Sequence, residues 1–227
     1  MAESFLSVDL GRRGFEEALA IQRSLIAARQ AGAISDVLVF VEHPPTYTLG
    51  RGASREHLLA NETTLARIGA RVIETDRGGD ITFHGPGQLV GYPIFDLNGW
   101  HRDVHAYLRA LEQTLIDALV GFGIEGVRVD GLTGVWHPRG KLAAIGVRVT
   151  KWVASHGFAL NVGTDLDYFK HIVPCGIVDR AVSSMEEVLG APVARGPMVA
   201  AVSDAFGSVF DREPIVALES DLEVLTH

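Results

Sequence analysis

RGGDITFHGPGQLVGYPIFD, residues 77 to 96, decides how this 227-residue chain is read. Asp80 to His84 alternates like a strand, Gly85-Pro86-Gly87 is a turn signal, and Leu89-Val90 with Tyr92, Ile94 and Phe95 resumes strand composition. The pattern predicts a hairpin with bare backbone at its base and tip. It holds five glycines in 20 residues, and each costs about 0.5–1 kcal/mol against alanine in a regular element. Packing alone does not ask for that, so backbone here is expected to come close to a ligand or to another strand. A structural hairpin with a tight bend is the competing reading of the glycines taken alone.

Upstream, residues 14 to 31 place Ala18, Ile21, Leu25 and Ala28 on one stripe, which predicts a surface helix packed on a sheet and stopped at Gly32. Val37 to Val41 is a continuous apolar run, predicting a strand buried on both faces. It ends in Glu42-His43-Pro44-Pro45, where two prolines force the chain out of the ladder and His43 reads as a satisfied strand-end residue. Thr46 to Leu49 alternates again. Residues 54 to 70 predict a helix capped by Ser54 and a second turn near Asn61, leading into a strand at Arg71 to Glu74.

Downstream, Val104, Leu108, Leu111, Leu115 and Leu119 recur at helical spacing, with Arg109, Glu112, Gln113 and Asp117 assigned to the opposite face. His101 and His105 near its start have no third ligand in register and read as solvent-facing. Short strands follow at 124–129, 134–136, 142–149 and 157–162, with a turn at His137 to Gly140. Ser183 to Glu186 reads as a capping box, Pro197 opens a last helix through Phe210, and an acidic tail is expected from about residue 211. Helices interspersed with runs of strands predict an α+β fold, residues 1–227 forming a single domain with a large mixed β-sheet and a smaller sheet flanked by helices.

Hydrophobic residues make up 47% of the chain, enough for a substantial core, and the net charge is −8. With no lysine or arginine cluster, a nucleic acid partner is excluded. No apolar run approaches the ~18 residues of a membrane span, so no membrane partner and a cytoplasmic location are expected. The single cysteine, Cys175, excludes an internal disulfide and a Cys-rich metal site.

Cys175 sits in Pro-Cys-Gly, where proline restrains the approach and the following glycine leaves its N–H open to a developing oxyanion. The alternative is a small buried hydrophobe. A thiol nucleophile needs its thiolate favoured by a base or a cation, because its free pKa is about 8.5. His84, His156, His171 and Lys141 are the candidates, and spacing leaves all four open. Lys141, Lys151 and Lys170 are the only lysines.

Five stretches, EHPPTYTLGR at 42–51, RGGDITFHGPGQLVGYPIFDL at 77–97, GKLAAIGVRV at 140–149, SHGFALNV at 155–162 and PCGI at 174–177, together resemble the lipoyl(octanoyl) transferase family. The resemblance covers residues 42 to 177 and implies a fold shared with biotin and lipoate protein ligases. It implies transfer of an octanoyl group from octanoyl-acyl carrier protein to a lysine of lipoyl domains, in 2-oxoacid dehydrogenase complexes and the glycine cleavage H protein, through a cysteine thioester and without a cofactor or metal. By position, Cys175 matches the nucleophile and Lys141 the residue that lowers its pKa. The family's substrate-contacting segments fall on Arg77, Gly78, Gly79, Asp80, Ile81, Thr82, Phe83 and His84, on Ala144, Ile145 and Gly146, and on Gly157, Phe158 and Ala159. Phe83, Leu142 and Phe158 are expected as apolar walls of an acyl slot. An ATP-dependent lipoate or biotin protein ligase and a noncatalytic acyl-binding protein are the alternatives. Arg51, Arg55, Arg139 or Arg180 is expected to supply a basic patch for acidic partners.

Overall fold

A computed structural model of the chain describes residues 3–173 and 181–225, the last three of these by backbone alone. The Pro-Cys-Gly stretch with Cys175 therefore lies outside the described residues. In chain order the elements are β1 (Glu3–Arg12), α1 (Phe15–Gln30), β2 (Asp36–Glu42), β3 (Thr46–Leu49), α2 (Glu62–Ile68), β4 (Arg71–Glu74), β5 (Ile81–His84) and β6 (Gln88–Asp96). There follow α3 (Val104–Val120), β7 (Val127–Val129), β8 (Leu132–His137), β9 (Gly140–Thr150), β10 (Val153–Asn161), α4 (Met185–Leu189), α5 (Arg195–Phe210), β11 (Arg212–Ala217) and α6 (Glu219–Leu225).

Eight strands form one mixed sheet in the order β11-β1-β2-β6-β10-β9-β8-β7, and three form a second in the order β4-β3-β5. Alternation sends successive residues of the central strands to opposite faces. In β2, Leu38 and Phe40 join the core under α3 and α5, whereas Val37, Val39 and Val41 join the core under α1. The strand buried on both faces is thus found where the apolar run predicts it. The α+β class with a large mixed and a small sheet also holds.

The glycine-rich stretch is not a hairpin. β5 pairs antiparallel with β3 in the small sheet, while β6 lies between β2 and β10 in the large one. Gly85-Pro86-Gly87 therefore moves the chain from one sheet to the other. Gly87 takes φ +76°, and a Cβ there would come within 2.4 Å of the Gly163 carbonyl oxygen, so only glycine fits the crossing.

Three further expectations are corrected, and one strand appears where none was expected. Residues 3–12 form a strand that the apolar pattern did not announce, because Ser7 faces inward and hydrogen-bonds Ser203 on α5 at 2.7 Å. The expected acidic tail instead supplies β11, parallel to β1, and then α6. Ser54 caps only a three-residue turn, and the helix proper begins after Asn61, whose side chain accepts from Thr64 N–H. The capping box sits one residue later than expected: Ser184 caps α4, and Glu187 reaches back to Ser183.

Glu112 is not on the solvent side of α3 but is 0% exposed. One of its oxygens is held by Arg109 and Arg128, and the other accepts from Gly134 N–H at 2.9 Å. Removing a carboxylate from water is costly unless it is paired and hydrogen-bonded, and here it is both.

Candidate active site

A narrow slot of about 500 Å³, including its open mouth, lies between the two sheets. The large-sheet wall is Ala144, Ile145 and Gly146 from β9 with Gly157, Phe158 and Ala159 from β10. The opposite wall is Arg77, Gly79 and Asp80 from the loop before β5, with Thr82 and His84 from β5 itself. The walls come close enough that a Cβ on Gly146 would lie 2.8 Å from the Gly78 carbonyl oxygen. Gly78 itself ties the loop to β9, its N–H donating to Val147 O at 2.9 Å.

Not every residue named from sequence faces this space. Alternation along β5 puts Thr82 and His84 on the slot side and turns Ile81 and Phe83 into the small-sheet core with Tyr47, Leu49 and Ile172. Phe83 stacks on Tyr168 at 4.5 Å between centroids and is no slot wall. Leu142 belongs to the core under α3 and α5, whereas Phe158 lines the slot as expected and also packs in that core. Phe15, Val90, Tyr92 and His156 line the slot without having been assigned to its walls. The period-two face shared by Val90 and Tyr92 carried a signal; Phe15, arriving from α1, carried none.

The polar groups of the slot form a connected, desolvated network. His43 Nδ1 donates to Arg13 O at 2.9 Å, so its Nε2 accepts from the Tyr92 hydroxyl at 2.7 Å, and burial lowers its pKa to about 4. His43 is the satisfied strand-end residue expected. His84 Nδ1 donates to Gln88 Oε1, whose amide nitrogen is committed to Phe83 O and Asn161 Oδ1. Burial, with His43 and Arg77 nearby, holds His84 well below its ordinary value, so it is a neutral ring at physiological pH. Arg77 anchors its loop by donating to Thr48 O at 2.6 Å and to Thr48 Oγ1.

His156 occupies the left-handed region at φ +55°, a strained conformation for a non-glycine residue. Its N–H goes to Gln22 Oε1 on α1, and its ring donates to Asp76 at 2.7 Å. Burial lowers the His156 pKa against the raising effect of Asp76. Asp76 also pairs with Arg148, so the loop before Arg77 is bound to both β9 and β10.

Lys141, 8% exposed, lines a smaller cavity with Asn161, Phe169 and Val182, and this cavity shares Thr82, Ala144 and Ala159 with the slot. Its backbone is clamped by the chain that follows the undescribed segment: Lys141 N–H donates to Ala181 O and Ser183 N–H to Lys141 O. Before that segment, Val173 N–H donates to His57 O, and His57 bonds Asp80 of the slot. His171 lies on the preceding turn and does not line the slot. Of the expected basic patch, Arg51 is exposed, Arg55 pairs with Glu74 and Arg139 donates to Glu187 O, while Arg180 is outside the described residues. Among the described residues no helix is long and apolar enough to cross a membrane, and no group of three or more His, Cys, Asp or Glu could hold a metal ion.

The architecture and the slot define a class. Residues 15–207 match the lipoyl protein ligase A/B catalytic domain. A putative lipoate protein ligase of T. acidophilum, solved with lipoic acid bound, superposes with a TM-score of 0.77 at 16% identity over 100% of this chain and 93% of that one. A biotin protein ligase from Aquifex aeolicus gives 0.51 at 12% identity over 92% and 69%, so both share the fold. In sequence, an octanoyltransferase of Solibacter usitatus is 51% identical over 90% of this chain and 92% of its own length. The chain belongs to the lipoyl protein ligase A/B catalytic-domain family, and within it to the octanoyltransferases.

Proposed function

We propose that the chain transfers an octanoyl group from octanoyl-acyl carrier protein to a lysine of a lipoyl domain, through a thioester on Cys175. The observation that carries this reading is the buried Lys141 beside the slot, its backbone bonded to Ala181 and Ser183 just after the segment that bears Cys175. The other flank of that segment is tied through Val173 to His57, which bonds Asp80 on the opposite wall. Family membership supports octanoyl as the group transferred.

In the first step the Cys175 thiolate attacks the carrier thioester, the carrier's C–S bond breaks, and the departing sulfur takes a proton from the Lys141 ammonium. Exchange between two thioesters is nearly isoenergetic, which suits cysteine better than serine. Lys141 is left neutral. In the second step a neutral acceptor amine attacks the acyl-enzyme, its N–C bond forms as the C–SCys175 bond breaks, and Lys141 takes the amine's proton. The thiolate and ammonium are thereby restored together. The slot holds the linear acyl chain against backbone and small side chains, while Thr82 offers a hydrogen bond that requires no counter-ion and the neutral His84, its ring nitrogens facing Gln88 and Thr48, adds no charge to the wall.

Intact-protein mass spectrometry after incubation with octanoyl-carrier tests this. One octanoyl group removable by hydroxylamine, absent from Cys175→Ala together with turnover, is expected. Turnover with ATP and free fatty acid, without any adduct, would establish the ligase reading instead, and a bound acyl chain with neither adduct nor turnover would establish the noncatalytic one.

A further inference from the structure

Lysine carries its charge on a flexible four-carbon stem, so a lysine that must hold its ammonium at one point needs something to hold the stem. Here the stem lies against a glycine. A Cβ on Gly134 would sit 2.6 Å from Lys141 Cε, 3.3 Å from Nζ and 2.5 Å from Ala143 O, and Gly134 itself takes φ +129°. The Lys141 Nζ stands 5.1 Å from the centroid of the Trp136 ring, within the range of cation–π attraction. Beneath them, Glu112 holds the Gly134 N–H at 2.9 Å, and Arg109 and Arg128 hold Glu112 in turn.

A fully buried carboxylate that reaches from a helix to the backbone of one glycine costs desolvation that an apolar residue would avoid. Its position makes sense if the location of that glycine matters. Gly134 has no Cβ where the stem must pass, and Trp136 in the same strand presents its ring to the ammonium. We propose that Glu112, Gly134 and Trp136 form a seat that fixes the Lys141 ammonium, making Glu112 and Trp136 positioning residues for the acyl transfer. The role rests on the catalytic reading of Lys141 above; the seat itself does not.

Because the chain has only Lys141, Lys151 and Lys170, full-length protein labelled with 13C at lysine Cε gives three Hε/Cε signals, of which that of Lys141 should be displaced upfield by the Trp136 ring. The second readout is the pH midpoint for iodoacetamide alkylation of Cys175, with thermal unfolding to confirm folding. Trp136→Leu and Gly134→Ala should each move the Lys141 signal, leave Lys151 and Lys170 in place, and raise the alkylation midpoint by at least half the rise seen in Lys141→Ala. Glu112→Leu should do the same, and Glu112→Gln, which keeps an acceptor for Gly134 N–H, should stay nearer wild type. Should Gly134→Ala not fold, Trp136→Leu carries the test. An unmoved Lys141 signal in a folded Trp136→Leu overturns the seat. A moved signal with the midpoint unchanged, while Lys141→Ala raises it, overturns the positioning role. A midpoint unchanged even in Lys141→Ala overturns the catalytic reading of the lysine and upholds the seat if the signal has moved.

Discussion

The two walls of the slot are built to different standards. The large-sheet wall belongs to an eight-stranded sheet with a hydrophobic core on each face, one under α3 and α5 and one under α1. The facing wall stands on three short strands over a core that holds, among the described residues, five buried ones, Tyr47, Leu49, Ile81, Phe83 and Ile172. A slot this narrow needs the weaker wall held at a fixed distance, and the ties are specific: Gly78 N–H to Val147 O, His156 and Arg148 to Asp76, and the ring contact of His43 with His84 at 5.8 Å. The lesson is that the slot's geometry depends more on its seam than on either core.

Truncating one aromatic in each core sharpens the contrast. Phe95 packs with Trp100, Tyr107, Phe206 and Phe210, so Phe95→Ala should lower stability by about 3–5 kcal/mol in urea unfolding, with all amides losing protection together. Phe83→Ala removes the centre of the small core, and should accelerate hydrogen exchange in β3 and β5 well before β6 and β10. If both variants speed exchange in both sheets equally, the walls are one cooperative unit and the contrast fails.

Acid should find the seam next. His43 is held neutral, with its pKa lowered from 6.5 to about 4. The unfolded chain therefore binds a proton that the folded one refuses between those values, and the stabilisation is complete above pH 6.5 and lost as pH falls towards 4. For a shift of that size the loss is about 3 kcal/mol. His84, shifted in the same direction, adds to it, whereas Asp76, lowered from 3.8, contributes stability lost only at still lower pH. Urea unfolding from pH 7 to pH 4 should show this slope and a shallower one in His43→Gln; an equal slope would move the titration elsewhere.

Local patterns made much of this legible and non-local ones did not. The apolar run at Val37–Val41 and the stripe of α3 announce their elements because period and burial are local properties. The partner of a strand is not local: Gly85-Pro86-Gly87 can fold a strand back or pass it to another sheet, and nothing within residues 77–96 distinguishes the two. β1 escaped notice because inward Ser7 breaks its alternation, and β11 because Pro214 and charged neighbours read as a tail. Glu112 looked solvent-facing since its partners Arg128 and Gly134 come from later strands. Of the slot, the glycine-flanked segments were legible as positions. That Ile81 and Phe83 face away was also available from the period of two, whereas Phe15 reaches the slot only through the tertiary packing of α1.

The smallest effect expected lies at the rim. Arg148 and Asp76 form an ion pair with both side chains 42% exposed, and exposed pairs are worth about 0–1 kcal/mol because solvent screens them. Arg148→Ala should therefore change stability by less than about 1 kcal/mol, and the difference should shrink further in 1 M salt, where the screening length falls to about 3 Å. The His156–Asp76 bond does not need the arginine, since the imidazole donor and carboxylate acceptor face each other at 2.7 Å with His156 buried. Asp76→Ala is the sharper comparison, as it leaves the buried His156 donor without its acceptor and should cost more than Arg148→Ala at any salt concentration. If Arg148→Ala proves the costlier of the two, the seam is held from the solvent side and the strained His156 is incidental to it.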